Sequence, residues 1–241
     1  MFEQEGDIDD VCNIWYKELQ FLVTGQGGVL GRLIKVNLPT VATGWQPKFY
    51  QLCDLRSGLK RKCILSLCEL TSVVDDRASI VYTNTAGTIS GLEVDLSNGV
   101  LLNTTFTIQL EVENPITESM TPCAANSITV IKNRLVVAGD DGSIRLADFQ
   151  GSWIARITKH FAAVVKVISL DNQSHLLSLG ADHRLLMWNL TEKNQFSVVS
   201  ELMLTGLGDP QNVSVITCRK SSKEFLAMVC GSGVQLCHFS L

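Results

Sequence analysis

The sequence predicts an all-β chain built from a unit of roughly four strands repeated about five times, and three observations predict it. Two internal segments, RLVVAGDDGSIRLADF (residues 134 to 149) and HLLSLGADHRLLMWNL (175 to 190), share one plan. Each runs from an apolar strand through small residues and a turn with Asp into a second alternating strand, so that Asp141 and Asp182 fall at equivalent places. Three further stretches, 21 to 37, 78 to 96 and 224 to 241, have the same shape. The ends of the second strands, at Leu38, Leu96, Phe149, Leu190 and Ser240, lie 58, 53, 41 and 50 residues apart, which is room for four short strands and their loops. Long amphipathic helical patterns are scarce.

The elements follow in order. DDVCNIWY opens the first unit as an apolar strand-like run, and FLVTGQGGVLGRLIKVN comes next. Its glycines approach the spacing of a phosphate-binding loop, but such a loop needs a helix after it, and VLGRLIKVN alternates like a strand. Gly25, Gly27 and Gly28 are therefore read as turn residues of a hairpin. The second unit begins with KCILSLCEL, the third with SITVIKN, the fourth with AVVKVISLD and the fifth with VSVITCRK, each preceding its hairpin. In the fourth, Val165, Val167 and Ser169 are expected on one face against Val164, Lys166 and Ile168 on the other. The last unit stops at its third strand, and the acidic MFEQEGDI is a poor strand to close it. An incomplete or open ring, or a chain truncated relative to its relatives, is expected, with an edge able to accept a strand or blade from a partner.

The composition excludes several classes. Of 241 residues 46% are hydrophobic and 18% charged, enough to bury a core as one domain over residues 1 to 241. A net charge of −4 disfavours direct nucleic-acid binding, which needs concentrated Lys and Arg. No apolar run approaches the length of a bilayer span, and the N-terminal residues do not resemble a signal peptide, so an intracellular protein is expected. The eight cysteines form no CxxC pair, and most are read as reduced core thiols.

A lone four-stranded sheet exposes two faces and two edges, whereas radial stacking of several such sheets buries the faces. A β-propeller follows from that requirement. The run from Lys159-His160 to Trp188-Asn189 resembles one complete WD repeat, with Lys159 in place of the usual Gly and Asn189 in place of the usual Asp. In that family a hydrogen-bonded set of His, Ser or Thr, Asp and Trp fastens each blade, and the resemblance places it on His160, Ser178, Asp182 and Trp188. The preceding unit keeps Asp141, Gly142 and Asp148 but has Ala147 at the Trp position; in the remaining units Ala86 and Gly27 stand near the turn Asp.

No catalytic, cofactor or metal site is expected. The nearest approach to a serine nucleophile motif is GSG at 231 to 233, which lacks the GxSxG spacing, and the four histidines form no i, i+4 pair. Asp75-Asp76 and Asp140-Asp141 sit in turns, where Asp bonds its own backbone. The candidate partner contacts are the basic run RSGLKRK, with Arg56, Lys60, Arg61 and Lys62, and the aromatics Trp45 and Trp153.

WD-repeat propellers serve as non-enzymatic platforms, and the resemblance implies a protein-interaction scaffold whose partners are larger subunits of a complex. YQLCDLRSG (50 to 58), TPCAANSITVIKNRLVVAGDDGSIRL (121 to 146) and FLAMVCGSGVQLCHFSL (225 to 241) are similar to the small WD-repeat nucleoporins of the Y-shaped outer-ring complex of the nuclear pore. That resemblance implies a structural pore subunit at the nucleus or nuclear envelope, although the chain is shorter by one or two blades. A WD-repeat adaptor presenting substrates to a ubiquitin ligase or another multiprotein complex is the alternative.

Overall fold

A computed structural model describes residues 8–16, 19–26, 29–37, 48–54, 63–98, 100–170, 174–217 and 224–240. They form strands throughout, in two compact units, residues 1–125 and 126–241. In the first unit β1 (Ile8–Tyr16), β2 (Leu19–Gln26), β3 (Val29–Asn37) and β4 (Lys48–Asp54) make one antiparallel sheet in that order. A second sheet contains β5 (Ile64–Val74), β6 (Arg77–Asn84), β7 (Thr88–Asp95) and β8 (Val100–Gln109). Cys12 and Ile14 of β1 pack with Ile64, Ala78, Ile80 and Val94 in the core between the two sheets. A two-stranded ribbon of β9 (Glu111–Glu113) and β10 (Met120–Pro122) follows, which the sequence pattern did not announce.

The second unit continues the plan. Its sheets are β11 (Ala125–Ile131), β12 (Arg134–Gly139), β13 (Ser143–Ala147), β14 (Trp153–Thr158), then β15 (Val164–Ser169), β16 (His175–Gly180), β17 (Arg184–Leu190), β18 (Phe196–Met203), then β19 (Asn212–Thr217), β20 (Glu224–Gly231), β21 (Gly233–Ser240). Five sheets of three or four strands among the described residues match the five units read from the sequence. Within the second unit the sheets stack because each buries apolar residues on the face it turns to the next. Val136, Ala138, Ile144 and Leu146 of one sheet pack on Val167, Leu176, Leu186 and Trp188 of the next. That next sheet's opposite face, with Leu177, Leu179, Leu185 and Met187, packs on Ala227, Val229, Cys237 and Phe239 of the third. First strands are also stitched together: the Val167 N–H donates to Ser127 Oγ at 3.2 Å, and Asn126 Nδ2 donates to the Val164 carbonyl at 3.1 Å.

The hairpin turns share a backbone device. The N–H groups of Gly87, Gly142 and His183 bond back to the carbonyls of Asn84, Gly139 and Gly180, and all three residues have positive φ, at 74°, 76° and 61°. Gly adopts that region freely, and His is among the residues that enter it. Where Ala86 replaces the turn Asp, Asn84 supplies the missing acceptor, its Oδ1 receiving the Ala86 and Thr88 N–H groups at 3.0 Å each.

Three expectations need correction. Gly25 is not a turn residue but lies inside β2, opposite Leu30 and beside an irregularity in the β2–β3 register; Gly27 and Gly28 fall outside the described residues. The alternation expected in β15 is broken by a bulge between Val164 and Lys166, which brings Val164 and Val167 into the same core. The cysteines, expected mostly in the core, divide evenly among the described residues: Cys12, Cys123 and Cys237 are buried, while Cys68 and Cys230 are half-buried and Cys63 is exposed.

Candidate functional site

A polar cluster of four side chains lies in the sheet β15–β18. Ser178 is on β16, Trp188 on β17, Asp182 in the turn between them and His160 in the segment entering β15. His160 Nδ1 is 2.9 Å from Asp182 Oδ1, His160 Nε2 is 2.8 Å from Ser178 Oγ, and Trp188 Nε1 donates to the same Oγ at 2.8 Å. The proton positions follow from the donor inventory. A carboxylate only accepts and an indole N–H only donates, so Nδ1 carries the imidazole proton and Ser178 gives its own to Nε2. Gly180 permits this approach, since a Cβ there would fall 2.2 Å from both His160 Nδ1 and Asp182 Oδ1.

Serine, histidine and carboxylate thus stand in the connectivity of a nucleophilic triad. The surroundings decide against that chemistry. Ser178 and Trp188 are fully buried, and the Ser178 oxygen already accepts from the indole. The second Asp182 oxygen receives the Phe161 N–H at 2.9 Å. The cluster therefore joins the loop entering the sheet to its second strand, turn and third strand, with no atom presented to a substrate.

Burial holds the His160 pKa below its ordinary value, against the upward pull of Asp182. Burial pushes the Asp182 carboxyl up, but the bonds from the Phe161 N–H and His160 outweigh it and keep it below the usual range. Unfolded chains bind a proton on His near pH 6.5, whereas folded His160 stays neutral to lower pH. Its contribution is thus present above about pH 6.5 and is lost as pH falls through the folded pKa. The melting temperature is expected to fall as pH drops from 7 to 5, and His160→Gln is expected to flatten that part of the profile while leaving a decline below about pH 4 from the aspartates. An unchanged slope in the variant would assign the acid sensitivity elsewhere.

The sheet β11–β14 solves the same problem with other residues. Asp141, at the position of Asp182, accepts from the Ser143 N–H at 3.0 Å and Ser143 Oγ at 2.6 Å, and pairs with Arg145 at 2.8 Å and Arg156 at 3.0 Å. Burial raises its pKa, but these partners hold it below the ordinary value. Ala147 stands in place of the tryptophan, and its partner across the strands is Trp153, whose ring lies 5.7 Å under the Arg145 guanidinium. The indole has moved one strand outward, where it is 37% exposed. Arginine as a substitute fastener gave no signal in the sequence, because Arg145 and Arg156 lie four and fifteen residues past Asp141 rather than in the family pattern.

Of the expected partner contacts only Trp153 can be placed. Trp45, Arg56, Lys60, Arg61 and Lys62 lie outside the described residues. Among the described residues no group of three or more His, Cys, Asp or Glu could hold a metal, and no helix is long and apolar enough to cross a membrane.

No protein-family profile matches the chain, and no curated protein matches its sequence. Its structure is similar to the WD40 β-propeller domain of Doa1, with a TM-score of 0.58 and 13% sequence identity over 98% of this chain. The chain spans 66% of the length of that matched propeller. At this identity the likeness establishes the fold alone: the antiparallel sheets are blades of the WD40 β-propeller type.

Proposed function

We propose that the chain is a non-enzymatic platform on which larger protein subunits assemble. The observation that carries this reading is the way residues 126–241 divide their side chains. Ser178, His160 and Asp182, whose connectivity alone approaches a catalytic arrangement among the described residues, are interior and spent on hydrogen bonds within a blade, while apolar groups are left on the outer strands. Trp153 and Ile154 of β14, and Val198, Val199 and Met203 of β18, are all more than a third exposed. Exposed aromatic and aliphatic groups on a rigid scaffold are what protein partners bury.

Within that class the particular role we propose is a structural subunit of the outer-ring complex of the nuclear pore, at the nuclear envelope. Its support is the sequence likeness at 50 to 58, 121 to 146 and 225 to 241. Affinity purification of the tagged chain from cells, followed by mass spectrometry, is expected to recover large helical nucleoporins in stoichiometric amounts. Recovery of ubiquitin-ligase subunits instead would move the chain to the adaptor reading, and recovery of no stable partner would overturn the platform itself.

A further inference from the structure

Of the three connections between sheets that are described in full, one departs from the repeating plan. Residues 159–163 lead from β14 to β15 and residues 204–211 from β18 to β19, but residues 110–124, between β8 and β11, contain the extra ribbon of β9 and β10. The ribbon is fixed at its base. The Leu110 N–H donates to the Gly87 carbonyl at 2.7 Å, the Cys123 N–H donates to the Leu110 carbonyl at 3.0 Å, and the Gln109 side-chain amide donates to the Ala86 carbonyl. Leu110 and Cys123 are buried, and a Cβ at Gly87 would fall 2.2 Å from the Cys123 carbonyl oxygen, so the bare turn of the sheet β5–β8 is what lets the base dock.

Beyond that base the ribbon stands in solvent. From Glu113 to Met120 every residue except Asn114 is exposed. The crest is held by its own polar groups. Asn114 exchanges backbone bonds with Ser119 and Glu118 at 2.9 Å each, and its Oδ1 accepts from the Ile116 and Thr117 N–H groups at 2.9 and 3.3 Å. The Thr117 and Ser119 hydroxyls are 2.7 Å apart. This network carries Ile116, 89% exposed, on the crest, and Met120, 56% exposed, lies opposite Glu113 just below it. Apolar side chains held clear of the core gain hydrophobic free energy only when another molecule buries them, and a loop already closed loses little entropy in the process.

Charge selects the molecule that does so. The ribbon contains Glu111, Glu113 and Glu118, and the sequence has no Lys or Arg from residue 78 to residue 131. Such a field repels nucleic acid and anionic membrane surfaces and draws Lys and Arg of a protein. We propose that the β9–β10 ribbon docks on a basic protein surface, with Ile116 and Met120 entering an apolar recess of the partner and Glu113 and Glu118 meeting Lys or Arg at its rim. This inference rests on the platform reading and names an element by which the platform holds a partner.

The test places photo-reactive p-benzoylphenylalanine at position 116 of the full chain in cells. Position 74 is the control, because Val74 is also exposed, at 65%, but ends β5 at the opposite end of β6 from the turn that holds the ribbon. Irradiation is expected to join position 116, and not position 74, to a protein peptide in which Lys and Arg outnumber Asp and Glu. Recovery of that protein with the tagged chain is expected to fall at least tenfold for Ile116→Ser and for the pair Glu113→Lys with Glu118→Lys, as loss of a buried apolar anchor or reversal of a docking charge requires. Each variant is expected to melt within about 2 °C of the parent, since the changed residues lie outside the core. A cross-link from position 116 to an acidic peptide, to nucleic acid or to a second copy of the chain overturns the proposal, and so does the absence of any cross-link there. A variant that melts well below the parent also overturns it, by assigning the ribbon to the support of the fold. Full recovery of the partner by both variants overturns docking through the ribbon while leaving the platform reading standing; if the parent chain recovers no partner, both readings fall.

Discussion

Trp188→Ala is expected to lower the stability of the unit formed by residues 126–241 by about 3 to 5 kcal/mol. Trp188 is among the largest of the fully buried side chains, and it sits in the core shared with Val136, Ile144 and Leu146 of the preceding sheet. Its ring meets Phe196 edge-on at 6.1 Å. Truncation therefore opens a cavity between two sheets and at the same time removes the indole donor from Ser178. Trp188→Phe separates the two effects: most of the apolar volume stays, and the loss is expected to be nearer 1 to 2 kcal/mol, the cost of an unmade buried hydrogen bond with some repacking. Trp153→Ala is the comparison, because that indole is partly exposed and gives up less burial on truncation; about 1 kcal/mol is expected. Urea unfolding of the three variants, followed by circular dichroism, measures all of these. A Trp188→Ala protein within 1 kcal/mol of the parent would show that the blades are not held together at this point.

The repeated pattern was legible for a physical reason. A strand buried on both faces needs apolar residues at nearly every position, so β12, β16 and their partners appear as continuous apolar runs between small turn residues. The turn Asp was legible because its side chain bonds the backbone two residues on, as Asp141 does with the Ser143 N–H. The set around His160 was read from its likeness to a known repeat, and the structure brings all four residues into one hydrogen-bonded chain. What escaped the sequence depends on register. The bulge in β15 that reunites Val164 with Val167 leaves no mark in a pattern of three valines and a lysine. The pairing of Ala147 with Trp153 depends on a skipped residue between β13 and β14. The ribbon of β9 and β10 is too short for its three-residue strands to show a period.

The sheet β11–β14 supplies the second large expected effect, since its polar fastening is ionic where that of its neighbour is neutral at the histidine. Asp141→Ala is expected to cost about 3 kcal/mol or more, because the Arg145 side chain is only 9% exposed and would be left charged without its carboxylate. The turn loses its backbone acceptor in the same change. Arg156→Ala is expected to cost under about 1 kcal/mol, since that guanidinium is half exposed and water replaces most of what the carboxylate gives it. The sharper measurement is a double-mutant cycle. Once Asp141 is gone, Arg145→Leu no longer breaks the Asp141–Arg145 ion pair, so the double variant is expected to be more stable than the two single losses predict, with a coupling above about 1 kcal/mol. Losses that simply add would show that Arg145 acts through its stacking on Trp153 rather than through Asp141. The fastening of this blade would then be an aromatic contact displaced by one strand, with the carboxylate serving only the turn.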